Sequence, residues 1–266
     1  MTIGFIGAGN IANAIIKGLT KIISKDDIYI FDISKDATDK SISENGVNLS
    51  ESAESLIKKC DVVVLSVKPH IIESVLLSHK DTFSVETPYI ISVAAAKTIE
   101  SIARNLDYKA SITRIMPNIN AEISESMTAI CHNEYVNDEQ KDICLKIFDS
   151  VGKTIEIDEK FFAVFSGIAG CSPAFTFLFI DTLAKAAHKE GMSKKDAIRI
   201  ASQAVLGSAK MLLGKDIHPI ELIDRVCSPG GTTIEGIYML EKNNFQNTVV
   251  DAVLSTIEKD KKLRDD

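Results

Sequence analysis

The first twelve residues constrain the fold more than any other stretch. Ile3-Gly-Phe-Ile6 is a short apolar run, Gly7-Ala-Gly9 is a turn, and Asn10-Ile-Ala12 opens a helical pattern. A strand that feeds a glycine turn straight into a helix leaves the first backbone N–H groups of that helix without intrahelical partners, facing whatever approaches. Gly7 permits the tight turn, Gly9 lets the backbone come close to a pyrophosphate, and Ala12 stands where a third glycine is common. The segment therefore predicts the start of a dinucleotide-binding unit, with Gly7, Ala8, Gly9, Asn10, Ile11 and Ala12 toward the cofactor; a glycine turn that serves only packing is the alternative. Asp32 closes the second apolar run. There a carboxylate accepts hydrogen bonds from the adenosine ribose of NAD and repels the extra phosphate of NADP, a repulsion that nearby Lys35 offsets, so NADH and NADPH both stay open.

Up to about Ile157, short β-branched runs alternate with helical stretches: Ile3 to Ile6, Ile28 to Phe31, Val62 to Val67, Tyr89 to Val93 and Ser111 to Met116. Such alternation predicts an α/β domain built on a Rossmann-type, doubly wound parallel sheet over residues 1–158. The run from Asp61 to Val67 is apolar on both alternating faces, as a central strand covered on both sides requires. From residue 159 to 266 the strands stop and helical punctuation takes over. Ser172-Pro173 reads as a cap and a first turn, with Gly191 as the stop. Ser193 with Asp196 approximates a capping box, Gly214 is the next stop, and Pro219 starts a short helix ending before Ser228. Thr232 with Glu235 reads as another capping box, opening a helix to about Lys242, and the Lys/Asp-rich tail from Glu258 to Asp266 as a solvated, fraying end.

Composition excludes several other classes. The five cysteines are scattered and never at the two-residue spacing of zinc or redox sites, and the histidines form no paired helical motif, so no metal site is expected. A net charge of −7 argues against a nucleic-acid partner. No run of about 18 apolar residues and no signal-peptide pattern is read, so the expected protein is cytoplasmic, with no membrane partner.

Four further segments, Leu65-Ser-Val-Lys-Pro69, Ile91-Ser-Val-Ala-Ala-Ala96, Arg114-Ile-Met-Pro-Asn118 and Ser228-Pro-Gly-Gly-Thr-Thr233, follow in order along the chain. In order and spacing the whole chain resembles the pyrroline-5-carboxylate reductases, the last segment being the most specific. The resemblance implies reduction of 1-pyrroline-5-carboxylate to L-proline by NAD(P)H, the closing step of proline biosynthesis, and a helical second domain that pairs into homodimers, often assembled into decamers. It implies that Ser66, Val67, Lys68 and Pro69, with Val93, Ala94 and Ala95, line the nicotinamide half of the cofactor cleft, with Asn118 also at the cofactor. The substrate would lie between these strand ends and the Ser228 to Thr233 loop, with Thr233 facing the imine nitrogen and Glu159 near the substrate pocket. Departures from the usual family pattern are Ile119-Asn120 after the Met-Pro-Asn, Ala169 with Cys171 before Ser172-Pro173, and Ala53 where some members place an asparagine toward the adenosine.

The chemistry agrees with so plain a residue set. An imine nitrogen is protonated before hydride arrives, so the site must supply orientation, a carboxylate anchor and a hydrogen-bond partner for nitrogen rather than a strong acid. Gly230 and Gly231, ahead of a helix capped by Thr232, are expected to offer backbone N–H groups to the carboxylate, with Ser228 and Arg225 as further donors and Thr233 as the catalytic hydroxyl. Lys185 reads as a solvated helical lysine. The rivals are a related β-hydroxyacid dehydrogenase, another cyclic-imine reductase and a non-catalytic nucleotide-binding paralogue; the first would need a lysine and an asparagine that Gly170 to Phe179 lacks.

Overall fold

A computed structural model describes residues 1–265. The chain divides into two compact units, one of Met1–Gly170 with the last turns from Ile257, the other Cys171–Thr256.

The first unit carries eight strands: β1 Ile3–Ile6, β2 Ile28–Phe31, β3 Asn48–Leu49, β4 Val62–Leu65, β5 Tyr89–Ser92, β6 Ile112–Met116, β7 Ser126–His132 and β8 Gly152–Glu156. They form one sheet in the order β3-β2-β1-β4-β5-β6-β7-β8, with only β6 and β7 antiparallel. Between the strands lie α1 Asn10–Leu19, α2 Lys35–Asn45, α3 Ala53–Lys59, α4 Pro69–Ser78, α5 Lys80–Glu86, α6 Ile99–Ala103, α7 Asp138–Asp149 and, after β8, α8 Phe162–Phe165.

Strand period decides where each side chain goes. Ile3 and Phe5 of β1 and Val62 and Val64 of β4 enter one core with Ile15 and Ile16 of α1 and Phe148 of α7. Ile6, Val63 and Leu65 enter the opposite core with Leu56 of α3, Ile72 and Leu76 of α4 and Phe83 of α5. The expected doubly wound sheet is thus present, and β4 sits between β1 and β5 with all four residues buried, as a central strand should be. Three strands lie outside the sequence expectation: β3 has only two residues, β7 carries Ser, Thr and His among its apolar residues, and β8 at the sheet edge has Ile155 as its one large apolar side chain.

The second unit is helical: α9 Ser172–Lys189, α10 Lys194–Leu213, α11 Pro219–Val226, α12 Thr232–Lys242 and α13 Phe245–Asp265, which continues into the last turns. Ser193 caps α10 by accepting the Asp196 N–H, and Gly214 ends it, as expected. Two expected caps are corrected. Ser172 is the first residue of α9 rather than its cap, because a π-turn over Ser166–Gly170 runs directly into the helix, and Cys171 takes the cap position without a side-chain bond. Gly231, not Thr232, caps α12, its extended backbone (φ −80°, ψ 171°) standing just before the first helical residue. Lys185 is exposed and pairs with Asp181 one turn away at 2.7 Å. The tail is helical to Asp265, while Asp266 lies outside the described residues. The second unit buries chiefly small side chains, Pro173, Ala184, Ala197 and Ala201, and leaves Phe177, Leu178 and Leu183 of α9 exposed. The stretch Glu159–Lys189 has the length and apolar character to cross a membrane. Ser166, Ser172 and Thr176 interrupt its apolar residues without adding charge.

All five cysteines are free thiols. Among the described residues no group of His, Cys, Asp or Glu is arranged to hold a metal ion.

Candidate active site

Because β1, β2, β4 and β5 are parallel neighbours, the residues after them share one rim of the sheet. That rim collects Gly7 to Ala12, Asp32, Ser66 to Pro69 and Val93 to Ala95. Gly7 has φ +105°, and a Cβ there would lie 2.7 Å from the Ser66 carbonyl, so no other residue fits. Its N–H donates to the Phe31 carbonyl at 2.8 Å, and the Ser66 hydroxyl donates back to the Gly7 carbonyl at 2.7 Å, which ties three strand ends together. Gly9 caps α1 with no side-chain bond, and a Cβ on it would meet nothing within 4 Å. An uncapped helix start under open space is a fit for a pyrophosphate. Asn13 secures the loop from behind, its amide donating to the carbonyls of Ala8 at 2.8 Å and Gly9 at 3.1 Å. Asp32 braces the front: one carboxylate oxygen accepts the Ala8 N–H and the other the Ser34 N–H, both at 2.8 Å. Pro69 opens α4 directly after Lys68, Ala94 is buried, and Val93 is held to β4 through its N–H and the Leu65 carbonyl at 3.0 Å.

The second unit presents Ser228 to Thr233 as a tight turn and a helix start. Pro229 and Gly230 occupy the two central positions, Gly230 with φ +67°, and the Gly231 N–H donates to the Ser228 carbonyl at 3.0 Å. A Cβ on Gly231 would lie 2.4 Å from the Ser228 hydroxyl. The Gly231 N–H is thus engaged inside the turn, and the donors toward a ligand pass to the first residues of α12, Thr232 and Thr233, where no side chain caps the helix. Thr233 and Arg225 line one cavity of about 780 Å³ with Gln203, Gly207, Met211 and Val226, and the Arg225 guanidinium pairs with Glu221 at 2.6 Å.

Both units have counterparts among known proteins. Residues 2–96 match the family model described as NADP oxidoreductase coenzyme F420-dependent, and residues 159–263 match pyrroline-5-carboxylate reductase dimerisation. The pyrroline-5-carboxylate reductase of Escherichia coli (strain K12) is 37% identical over 263 residues, covering 98% of this chain and 97% of the relative. The chain belongs to the pyrroline-5-carboxylate reductase family. Two solved structures of the family agree: 1-pyrroline-5-carboxylate reductase from Streptococcus pyogenes, 38% identical with TM-score 0.87 over 98% of each chain, and the Plasmodium falciparum pyrroline carboxylate reductase with NADP bound, 33% identical with TM-score 0.89 over 99% of this chain and 98% of that one.

Within this member of the pyrroline-5-carboxylate reductase family, two of the expected site residues are engaged in the protein frame. Asn118, in the loop just after β6, is buried; its amide donates to the Ala169 carbonyl at 2.9 Å and accepts the Asn120 N–H at 3.1 Å. Glu159 accepts the Ile99 N–H at 2.8 Å and pairs at 3.0 Å with Arg114, whose side chain is only 1% exposed and whose guanidinium lies 4.4 Å from the Phe162 ring centre. Burial and the Glu159 carboxylate together push the nearby Cys131 thiol up from its ordinary range. Arg114 and Asn13 escaped the sequence reading as structural anchors. Each had a signal: a charge inside the apolar run Ile112 to Met116, and an amide on the apolar face of α1.

Proposed function

We propose that this chain reduces the C=N bond of 1-pyrroline-5-carboxylate to give L-proline, with NADH or NADPH as donor. The observation that carries the proposal is that a full-length relationship to pyrroline-5-carboxylate reductases coincides with two uncapped helix starts, one on the glycine rim and one after the Ser228 to Thr233 turn. The bound dinucleotide supplies hydride; the chain supplies position. Gly7 to Ala12 and Asp32 hold the adenosine and pyrophosphate end, and Ser66 to Pro69 with Val93 to Ala95 hold the nicotinamide end. Ser228, Gly230 and Gly231 form the turn that frames the imine acid, and the N–H groups of Thr232 and Thr233 at the start of α12 receive its carboxylate, with Arg225 a further donor in the same unit. The Thr233 hydroxyl meets the imine nitrogen and holds its proton in place while carbon is reduced. We assign Glu159 and Asn118 to supporting the site from the frame, on the strength of their internal partners.

On this reading residues 1–158 are the dinucleotide domain and 159–266 the substrate and dimerisation domain. A homodimer covers the exposed apolar side chains of α9, which accounts for an apolar stretch without a membrane partner. Decamers of such dimers, a cytoplasmic location and no nucleic-acid partner complete the proposal.

The test is oxidation of NADH or NADPH by purified protein given pyrroline-5-carboxylate, a six-membered cyclic imine acid, or a β-hydroxyacid with the oxidised cofactor. Turnover of the five-membered imine supports the proposal. Preference for the larger ring, oxidation of the hydroxyacid or inactivity with all three overturns it.

A further inference from the structure

The turn between β2 and α2, Asp32 to Ser34, already holds an anion of its own. Both oxygens of the Asp32 carboxylate are bound by backbone N–H groups, Ala8 of the glycine loop and Ser34 of the turn, each at 2.8 Å. A second anion arriving here would compete for those same N–H groups. Displacing the carboxylate would also release the Ala8 N–H and so loosen the loop that cradles the pyrophosphate.

The surroundings carry the same sign. Residues 32–45 contain Asp32, Asp36, Asp39 and Glu44 against Lys35 and Lys40, and no arginine occurs among them. Ile33, beside Asp32, is 93% exposed and offers an apolar surface where a guanidinium would be needed to neutralise a phosphate. A ribose 2′-hydroxyl, in contrast, donates to a fixed carboxylate at no electrostatic cost.

We infer that this turn selects the dinucleotide with a free ribose 2′-hydroxyl, NADH, over NADPH, and that Asp32 is the specificity-determining residue. The inference rests on the reductase reading above. It narrows that reading from either donor to one.

The experiment is direct binding of NADH and of NADPH to the full-length protein without imine, followed by calorimetry or quenching of nicotinamide fluorescence, at low and high salt. The expected result is NADH bound about 10-fold or more tightly, a gap the size of one hydrogen bond to a charged group. The gap should narrow with added salt, because screening weakens repulsion of the extra phosphate. Asp32→Ser should gain NADPH affinity about 10-fold while losing NADH affinity, a gain that a residue with a merely structural task would not produce. Asp32→Asn should move the same way by less. Equal or tighter NADPH binding by the wild type overturns the inference, as does a gap that widens with salt. Parallel weakening of both dinucleotides in Asp32→Ser removes Asp32 as the selector. Binding of neither dinucleotide overturns the reductase reading itself. If Asp32→Ser does not fold, the wild-type ratio and its salt dependence still decide.

Discussion

Thr233 occupies the second position of α12, with Gly231 at the cap, so its side chain is not needed to hold the helix end. Thr233→Val keeps the shape and removes the hydroxyl. The cost is expected in kcat, roughly 10- to 100-fold, or about 1.4 to 2.7 kcal/mol for one well-placed hydrogen bond to a charged centre. Thr233→Ser should keep most activity, and neither variant should shift stability by more than about 1 kcal/mol. Steady-state kinetics beside thermal melts will check this; a Thr233→Val enzyme turning over at the wild-type rate would remove the hydroxyl from the mechanism. The turn was legible in sequence, since Gly230 takes a positive φ and a Cβ on Gly231 would meet the Ser228 hydroxyl, whereas its reading as a candidate site came from the family resemblance. The detail of which N–H groups remain for a ligand was not, since it depends on the Gly231 N–H closing onto Ser228. Glu159 shows the same limit: its acidity was visible, but its partner Arg114 lies 45 residues earlier and meets it only through the sheet.

At the scale of elements, the β1 turn into α1 separates two glycines with different tasks. Gly7→Ala places a Cβ 2.7 Å from the Ser66 carbonyl at a positive φ, so it should weaken both folding, by about 1 to 3 kcal/mol, and dinucleotide binding. Gly9→Ala adds a methyl into open space, so it should leave the melting temperature nearly unchanged and lower dinucleotide affinity about 10-fold or more. Binding titrations and melts of the two variants will separate the tasks; a Gly9→Ala protein that binds NADH normally would show that the space above α1 is not the pyrophosphate site. The strands that build this rim were readable because their apolar runs, bounded by turn residues, are too short for a buried helix. β7 was not. Its Ser126, Thr128 and His132 side chains find partners only once β6 and the neighbouring turn are in place, such as Thr113 for His132 at 2.6 Å and the Asn118 N–H for Ser126 at 3.1 Å.

For the molecule as a whole, the two units bury their apolar surface very differently. The sheet unit has a core on each face of the sheet, whereas the helical unit leaves Phe177 at 58% and Leu178 at 64% exposed and packs mainly alanine inside. So much open apolar surface is stable only when covered, and a second copy is the occupant we propose. The melting transition should therefore rise with protein concentration, and Leu178→Asp should lower it and yield monomers by light scattering. A dimer unaffected by Leu178→Asp would place the contact elsewhere.

The exposed side chains of α9 also bear on gene dosage. If the helical unit is complete only in company, then below the dimer dissociation constant the working species grows as the square of chain abundance, and halving expression removes more than half of the activity. A catalytically dead copy that still pairs would in turn draw intact sisters into mixed assemblies, so a lesion at Thr233 would be felt beyond the chain that carries it, while one that blocks pairing would stay confined to its own.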